Sequence, residues 1–238
     1  MSLRAAIVLQ ARMGSSRLPG KSLAPIAGRS LLARVVERLK TRADLPVVLA
    51  TTTLLEDDLL CEEAERLEIA VVRGSADDVL GRFAFVASVL GVSAIVRATA
   101  DNPAVDLDSP SRTLEILLRS GADYVVDYGL PLGGTVEAMA VQALVRASAL
   151  ATDADDREHV TPFIRRDARS RAVDSLAPSA LRRPDLRFTI DTADDLEYLR
   201  RVYQEVGVSA APAPLDVFIA AADRLRARDA EQAGVDAR

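Results

Sequence analysis

Short apolar runs alternate with amphipathic stretches through the first two-thirds of this 238-residue chain, and that rhythm is its strongest constraint on fold. The runs at residues 5–9, 47–51, 70–73, 94–97 and 123–126 predict strands. Runs such as Ala-Ile-Val-Leu, with no polar alternation, suit strands buried on both faces. Helices are predicted between them, over 30–42, 56–67, 77–90 and 110–120. Strand–helix alternation of this kind implies βαβ units and a mainly parallel sheet. Helix starts carry their own signals. Pro110 follows Asp108 and Ser109, and proline suits a first turn. Thr192 precedes Asp194 and Asp195, a capping hydroxyl followed by acids.

The rhythm changes at Gly129. A loop through Pro131, Gly133 and Gly134 leads to predicted helices at 141–150 and 155–166, with Pro162 kinking the second or lying near an end. Residues 170–187 read as irregular and arginine-rich. A strand at 186–190 and a helix at 193–206 restore the pattern. An amphipathic helix follows at 215–228, with a tail expected to fray after residue 229. This gives a single domain over 1–238, with a core of 1–128 and 186–228 and an excursion of 129–185.

Hydrophobic residues make up 49% of the chain, enough for a full core, but aromatics are only 4% and Trp is absent, so that core must be aliphatic. A net charge of -5 argues against a nucleic-acid binder, although local basic clusters can still hold a small anion. The lone Cys61 has no intramolecular disulfide partner. The apolar run at 5–9 is too short for a signal sequence, and no segment reaches the roughly 18 apolar residues of a membrane span. A cytoplasmic protein without a membrane partner is expected.

The segment after the first run holds Gly14, Ser15, Ser16, Arg12, Arg17 and Lys21, with no acid. A small-residue turn at the carboxyl end of a parallel strand turns backbone N–H groups outward and makes an anion nest. Three cations beside it would neutralise a triphosphate. A solvated basic turn is the competing explanation. The turn is not a Walker A loop, because Gly14 and Gly20 stand too far apart.

The stretch Gln10-Ala11-Arg12-Met13-Gly14-Ser15-Ser16-Arg17-Leu18-Pro19-Gly20-Lys21 resembles the opening motif of the cytidylyltransferases that activate acidic sugars, the CMP-sialic acid and CMP-ketodeoxyoctonate synthetases. It is closer still to their spore-coat polysaccharide branch. Arg73-Gly74-Ser75, Arg97 to Pro103, Arg157 to Pro162 and Phe188 to Thr192 match later family segments in order, so the similarity spans about residues 4–206. The resemblance implies an α/β fold, a mainly parallel three-layer α/β/α sandwich of the nucleotide-diphospho-sugar transferase type. It also implies Mg2+-dependent transfer of CMP from CTP to a small acidic acceptor, and a homodimer formed through the excursion.

On pattern alone, Asp101 and Asp191 follow predicted strands and could equally cap a turn or helix. The resemblance places the two metal-binding aspartates on them, with Asp106 and Asp194 as runners-up. It further implies a catalytic set of Arg12, Lys21, Asp101 and Asp191. Nucleotide binding falls to Gln10, Ala11, Arg12, Gly14, Ser15, Arg17, Lys21, Arg73, Gly74, Ser75, Thr99 and Asp101. Acceptor binding falls to Gly133, Glu137, Arg157, Glu158 and His159. Relatives often carry Asp where Leu132 and Thr135 stand, so the usual sugar-hydroxyl contacts are in question and a phosphonate acceptor is an alternative. Arg165, Arg166, Arg169, Arg171, Arg182 and Arg183 read either as a solvated surface or as a means of capturing an acid. Other readings are a uridylyl- or guanylyltransferase, a nucleotide-sugar-dependent glycosyltransferase, and a nucleotide-binding module without catalysis.

Overall fold

A computed structural model describes residues 5–207 and 211–236. Strand β1 (Ala5–Gln10) leads through a loop and a 3-10 turn to a small hairpin, β2 (Pro25–Ile26) and β3 (Arg29–Ser30), then α1 (Leu31–Arg42). There follow β4 (Val47–Thr52), α2 (Asp58–Arg66), β5 (Ala70–Gly74), α3 (Val79–Leu90), β6 (Ala94–Thr99), α4 (Ser109–Ser120) and β7 (Tyr124–Tyr128). The second half adds β8 (Glu137–Ala140), α5 (Val141–Leu150), α6 (Ala154–His159), α7 (Pro162–Arg166), β9 (Ala172–Leu176), α8 (Ala193–Val206) and α9 (Leu215–Asp236).

Among the described residues, seven strands form one sheet in the order β5-β4-β1-β6-β8-β7-β9. Only β8 runs against the others, antiparallel to both β6 and β7. Side-chain alternation on β1 builds the layers. Ile7 and Leu9 join Leu32 and Val36 of α1, Leu60 of α2 and Leu114 of α4 on one face. Val8 joins Phe83 of α3, Leu144 of α5 and Ile164 of α7 on the other. A third cluster unites Phe188 and Ile190 with Leu199 of α8 and Phe218 of α9. The Phe218 ring meets Tyr203 edge-on at 5.0 Å and Phe188 at 6.3 Å, geometry favoured by the aromatic quadrupole.

Four expectations need correction. Residues 186–190 are not a strand: the segment is extended but bonds to loops, through Leu132 N–H to Leu186 O, Phe188 N–H to Leu132 O and Ile190 N–H to Asp101 O. Residues 170–187 are not wholly irregular, because β9 pairs parallel with β7 at the sheet edge. The helix expected at 155–166 is two helices, broken at Val160 and Thr161, with Pro162 opening the second. The last helix does not fray at 229. It runs to Asp236, tied back to α8 by Arg201–Asp229 and Arg228–Glu205. Residues 129–185 contribute β8, which lies between β6 and β7, and the edge strand β9.

One buried ion cluster fixes α4 against the sheet. The Arg112 guanidinium reaches Asp106 and Asp127 at 2.7 Å each, and Ser109 Oγ donates to Asp127 at 2.7 Å. The Asp127 side chain is fully buried. Removing one member of such a cluster strands an uncompensated charge, at about 3–5 kcal/mol. Arg112→Ala is therefore expected to lower the urea unfolding free energy by about that much, and a loss under about 1 kcal/mol, the value of an exposed pair, would refute it.

Candidate active site

The loop after β1 is shaped by an anchor that comes from elsewhere in the chain. Asp57 is completely buried. Its Oδ1 accepts the Met13 N–H at 2.7 Å, and its Oδ2 accepts from Thr51 Oγ1 at 3.0 Å, Thr52 N–H at 3.1 Å and the Thr52 hydroxyl. Burial pushes the Asp57 pKa up, but these donors outweigh it and hold the carboxyl below its ordinary value. The loop also closes on itself, with Gly20 N–H donating to Met13 O at 3.0 Å. Gly20 has φ +71°, the left-handed region that glycine enters without a Cβ penalty.

This loop and two distant segments meet at one ammonium. Lys21 Nζ lies 3.1 Å from Asp101 Oδ2, 3.3 Å from Asp191 Oδ1 and 2.7 Å from the Ile190 carbonyl oxygen. Asp101 follows β6, and Asp191 precedes α8. The hydrogen bond from Ile190 N–H to Asp101 O, 2.9 Å, ties the two segments directly. Arg17 reaches Asp191 at 3.1 Å, and Arg187 reaches it at 2.7 Å while also holding Asp195. Burial raises the Asp191 pKa. Hydrogen bonds from Arg187 and Lys21, with the charges of Lys21 and Arg17, overcome that and keep it below the usual carboxylate value.

Two clefts open from this point. The first, of 290 Å3, is lined by Gln10, Ala11, Arg12, Ser15, Arg17 and Lys21 from the loop. Thr99, Asp101 and Asp191 line it from the sheet side, and Glu158 and His159 from α6. Arg12 pairs with Glu158 at 3.6 Å across it. His159 sits 3.4 Å from Asp155 and is exposed. The second cleft, of 400 Å3, shares Arg97, Thr99, Asp101 and Asp191 with the first and adds Tyr124, Gly133, Glu137, Arg165 and Arg187. Gly133 has φ +90°, and a Cβ there would meet the Phe188 carbonyl oxygen at 2.8 Å, so this wall requires glycine.

A polar relay joins the clefts. Arg97 bonds Glu137 with one nitrogen and Gln10 Oε1 at 3.3 Å with another. Glu137 also accepts from Tyr124 OH and from Thr161 Oγ1 at 3.0 Å. Burial raises the Glu137 pKa, but the Arg97 charge and the three donors bring it below the ordinary value. Thr161 is aimed by the residue before it. Val160 has φ 69° and ψ -52°, and Thr161 N–H donates to His159 O at 2.8 Å. This is the strained form of the γ-turn, an outlier for a β-branched residue. Full burial of the Val160 side chain holds it there.

Several sequence candidates stand outside both clefts. Arg73 spends its guanidinium on Asp58 at 2.6 Å and on the carbonyls of Thr52 and Leu54, each at 2.7 Å. Ser75 Oγ accepts the N–H groups of Asp77 and Asp78 in the turn before α3. Gly74 is packed by Arg82, whose Cγ lies 3.0 Å from where a Cβ would stand. Gly14 faces Glu56, and Arg157 pairs with Asp78 at 3.1 Å. Asp106 binds Arg112, and Asp194 lies in the first turn of α8. Asp57, Arg97, Tyr124 and Arg187 belong to the site without having been predicted as site residues. Only Arg97 carries a sequence signal, a charge inside the apolar run Ala-Ile-Val-Arg-Ala.

Among the described residues, no three His, Cys, Asp or Glu side chains converge as a metal cluster. Two carboxylates on one cationic point still suit magnesium, which takes one or two protein carboxylates and completes its shell with phosphate and water. No helix of the described residues is long and apolar enough to cross a membrane.

A cytidylyltransferase family model matches residues 5–212. The spore coat polysaccharide biosynthesis protein SpsF of Bacillus subtilis is 36% identical over 207 residues, covering 84% of this chain and 86% of that protein. A cytidylyltransferase structure from Leptospira borgpetersenii superposes with a TM-score of 0.84 at 25% identity, covering 96% of each chain. The structure of a CMP:2-keto-3-deoxy-manno-octonic acid synthetase complexed with CTP superposes with a TM-score of 0.62 at 16% identity, over 83% of this chain and 97% of that one, and shows likeness of fold.

The Asp57 anchor has a definite pH signature. Its folded-state pKa lies below the unfolded value of about 3.9. Its stabilisation is therefore complete above about pH 4 and is lost as pH falls through the folded-state value. Asp57→Ala is expected to cost about 2–3 kcal/mol at pH 7, from the donors it strands. Thermal melts should show the gap between variant and wild type narrowing below about pH 4; a gap independent of pH would exclude the anchor.

Proposed function

The chain belongs to the cytidylyltransferase family, and on that footing we propose that it moves CMP from CTP to a small acidic acceptor, an acidic sugar or a phosphonate, with release of pyrophosphate. CTP-dependent nucleotidyl transfer is the family chemistry. The observation that carries the finer reading is the meeting of Lys21, Asp101 and Asp191 where the two clefts join.

In this reading the first cleft takes the triphosphate. Arg12, Arg17 and Lys21 neutralise it, and Lys21 and Arg12 support the α-phosphoryl oxygens and the departing pyrophosphate. The second cleft holds the acceptor with one oxygen directed at the α-phosphorus. That oxygen forms the new bond as the bond to pyrophosphate breaks on the far side. A phosphonate oxygen is already anionic and needs no general base; an acidic sugar attacks through a hydroxyl that gives up its proton to water as the O–P bond forms, so the work is positioning and charge stabilisation. Asp101 and Asp191 would hold magnesium, which when bound screens the phosphate charges and orients them. Gln10 and Thr99 line the triphosphate side, and Gly133 and Glu137 the acceptor side. A homodimer through residues 129–185 belongs to the same reading, supported by β9, whose outer edge pairs with no described strand.

A pyrophosphate-release assay with CTP, Mg2+ and a panel of acidic sugars and phosphonates tests the proposal. At least one acceptor should give turnover with CTP above the other three nucleotides. Asp101→Ala should lower it by about 10^2–10^3-fold or more, while circular dichroism stays native. Undiminished release by the variant, or release with every nucleotide alike, would reject the assignment.

A further inference from the structure

The arginine-rich stretch 165–183 separates into two kinds of residue once its partners are known. Arg166 is bound by Asp156, and Arg169 by Asp167 at 3.0 Å. Arg171 donates to Ser120 O and Arg182 to Ala177 O, each at 2.6 Å. Arg183 is clamped between Asp185 at 2.8 Å and Asp223 at 2.7 Å. Those five are structural. Arg165 has no carboxylate within ion-pairing distance among the described residues, and it alone of the six lines the second cleft.

The charge balance of that cleft sharpens the contrast. Three arginines and three acids line it. Glu137 neutralises Arg97, Asp191 is shared by Arg187 and Lys21, and Asp101 faces Lys21. Among the described residues, Arg165 is left as the one uncompensated side-chain charge on this wall. Its guanidinium lies 5.6 Å from the centroid of the Tyr124 ring. Tyr124 is buried and cannot swing, because its hydroxyl is bonded to Glu137. A guanidinium stacked on a fixed ring loses less freedom when it binds an anion. The strained turn at Val160 breaks α6 from α7 directly before Thr161, which bonds Glu137, so the helix carrying Arg165 starts against this wall.

We infer that Arg165, seated on Tyr124, binds the anionic oxyacid group of the acceptor and sets the preference for acids over neutral compounds. This rests on the cytidylyl-transfer reading and deepens it: the cleft takes an acid, carboxylate or phosphonate, and one named cation recognises it. Leu132 and Thr135, both lining the cleft, supply no competing acid.

The test is binding, with transfer blocked. Wild type, Arg165→Gln and Arg165→Lys are saturated with Mg2+ and α,β-methylene CTP, then titrated calorimetrically with 2-keto-3-deoxy-manno-octonic acid and, separately, with 2-hydroxyethylphosphonate. At least one acid should bind the wild type, and which one identifies the oxyacid. Arg165→Gln should raise its Kd by about 10-fold or more, the scale of a lost charged hydrogen bond. Arg165→Lys should fall between, and affinity for the nucleotide analogue should stay within about twofold in all three. Equal Kd values for wild type and Arg165→Gln, or binding of neither acid to the wild type, would overturn the assignment. Failure of the analogue itself to bind the wild type would instead bring down the cytidylyl-transfer reading and this one with it.

Discussion

One ammonium organises this molecule. Lys21 follows the first strand, Asp101 the central strand β6, and Asp191 a segment some 170 residues away in sequence, yet Lys21 lies within 3.3 Å of both aspartates. Charges brought together out of bulk water interact strongly only if their supports are rigid. Each support here is independent. The sheet fixes Asp101, the third core cluster fixes the segment ahead of Asp191, and buried Asp57 fixes the loop that leads to Lys21. The crevice lies at the carboxyl ends of the strands, where open α/β sheets place their ligands.

The second organising element is the Arg97–Glu137 pair. Its geometry depends on β8 running antiparallel between β6 and β7, which sets Glu137 in register with Arg97 on one side and Val126 on the other. A charge pair in mid-sheet is costly unless every lone pair is used, and Glu137 uses its oxygens on Arg97, Tyr124 and Thr161. Through Gln10 the same relay touches the first cleft. The floor beneath both clefts is therefore one bonded unit, and a shift of the second cleft's wall would be felt at Gln10, where the loop after β1 begins.

The sequence made much of the sheet legible, for a specific reason. The runs beginning at Ala5, Val47 and Ala94 are apolar because helices cover both faces of β1, β4 and β6. The later strands lack that signature. Glu-Ala-Met-Ala in β8 is short, with an acid facing a salt bridge, and β9 is an exposed edge with Asp174 at its centre. The segment 186–190 has a strand-like pattern because Leu186, Phe188 and Ile190 are buried alternately, but its backbone finds only loops to pair with. At the site, a motif brought out the loop and its two aspartates. It could not show that Arg73 is spent on α2, since that depends on Asp58 and two carbonyls. Nor could it show Asp57 as an anchor, because three adjacent acids look alike until one of them is buried.

The third core cluster has a bearing on how the protein comes into being. Phe188 and Ile190, which precede Asp191, are packed by α8 and by Phe218 of α9. During synthesis the chain acquires Lys21 and Asp101 early, and the sheet that carries them has its strands by residue 176. The segment ahead of the second aspartate gains part of its packing from α8 and the rest once α9 has emerged and docked. In chain order the strands of the sheet therefore precede the helices that pack the segment ahead of Asp191, and the cleft has its last wall secured from the carboxyl-terminal end of the chain.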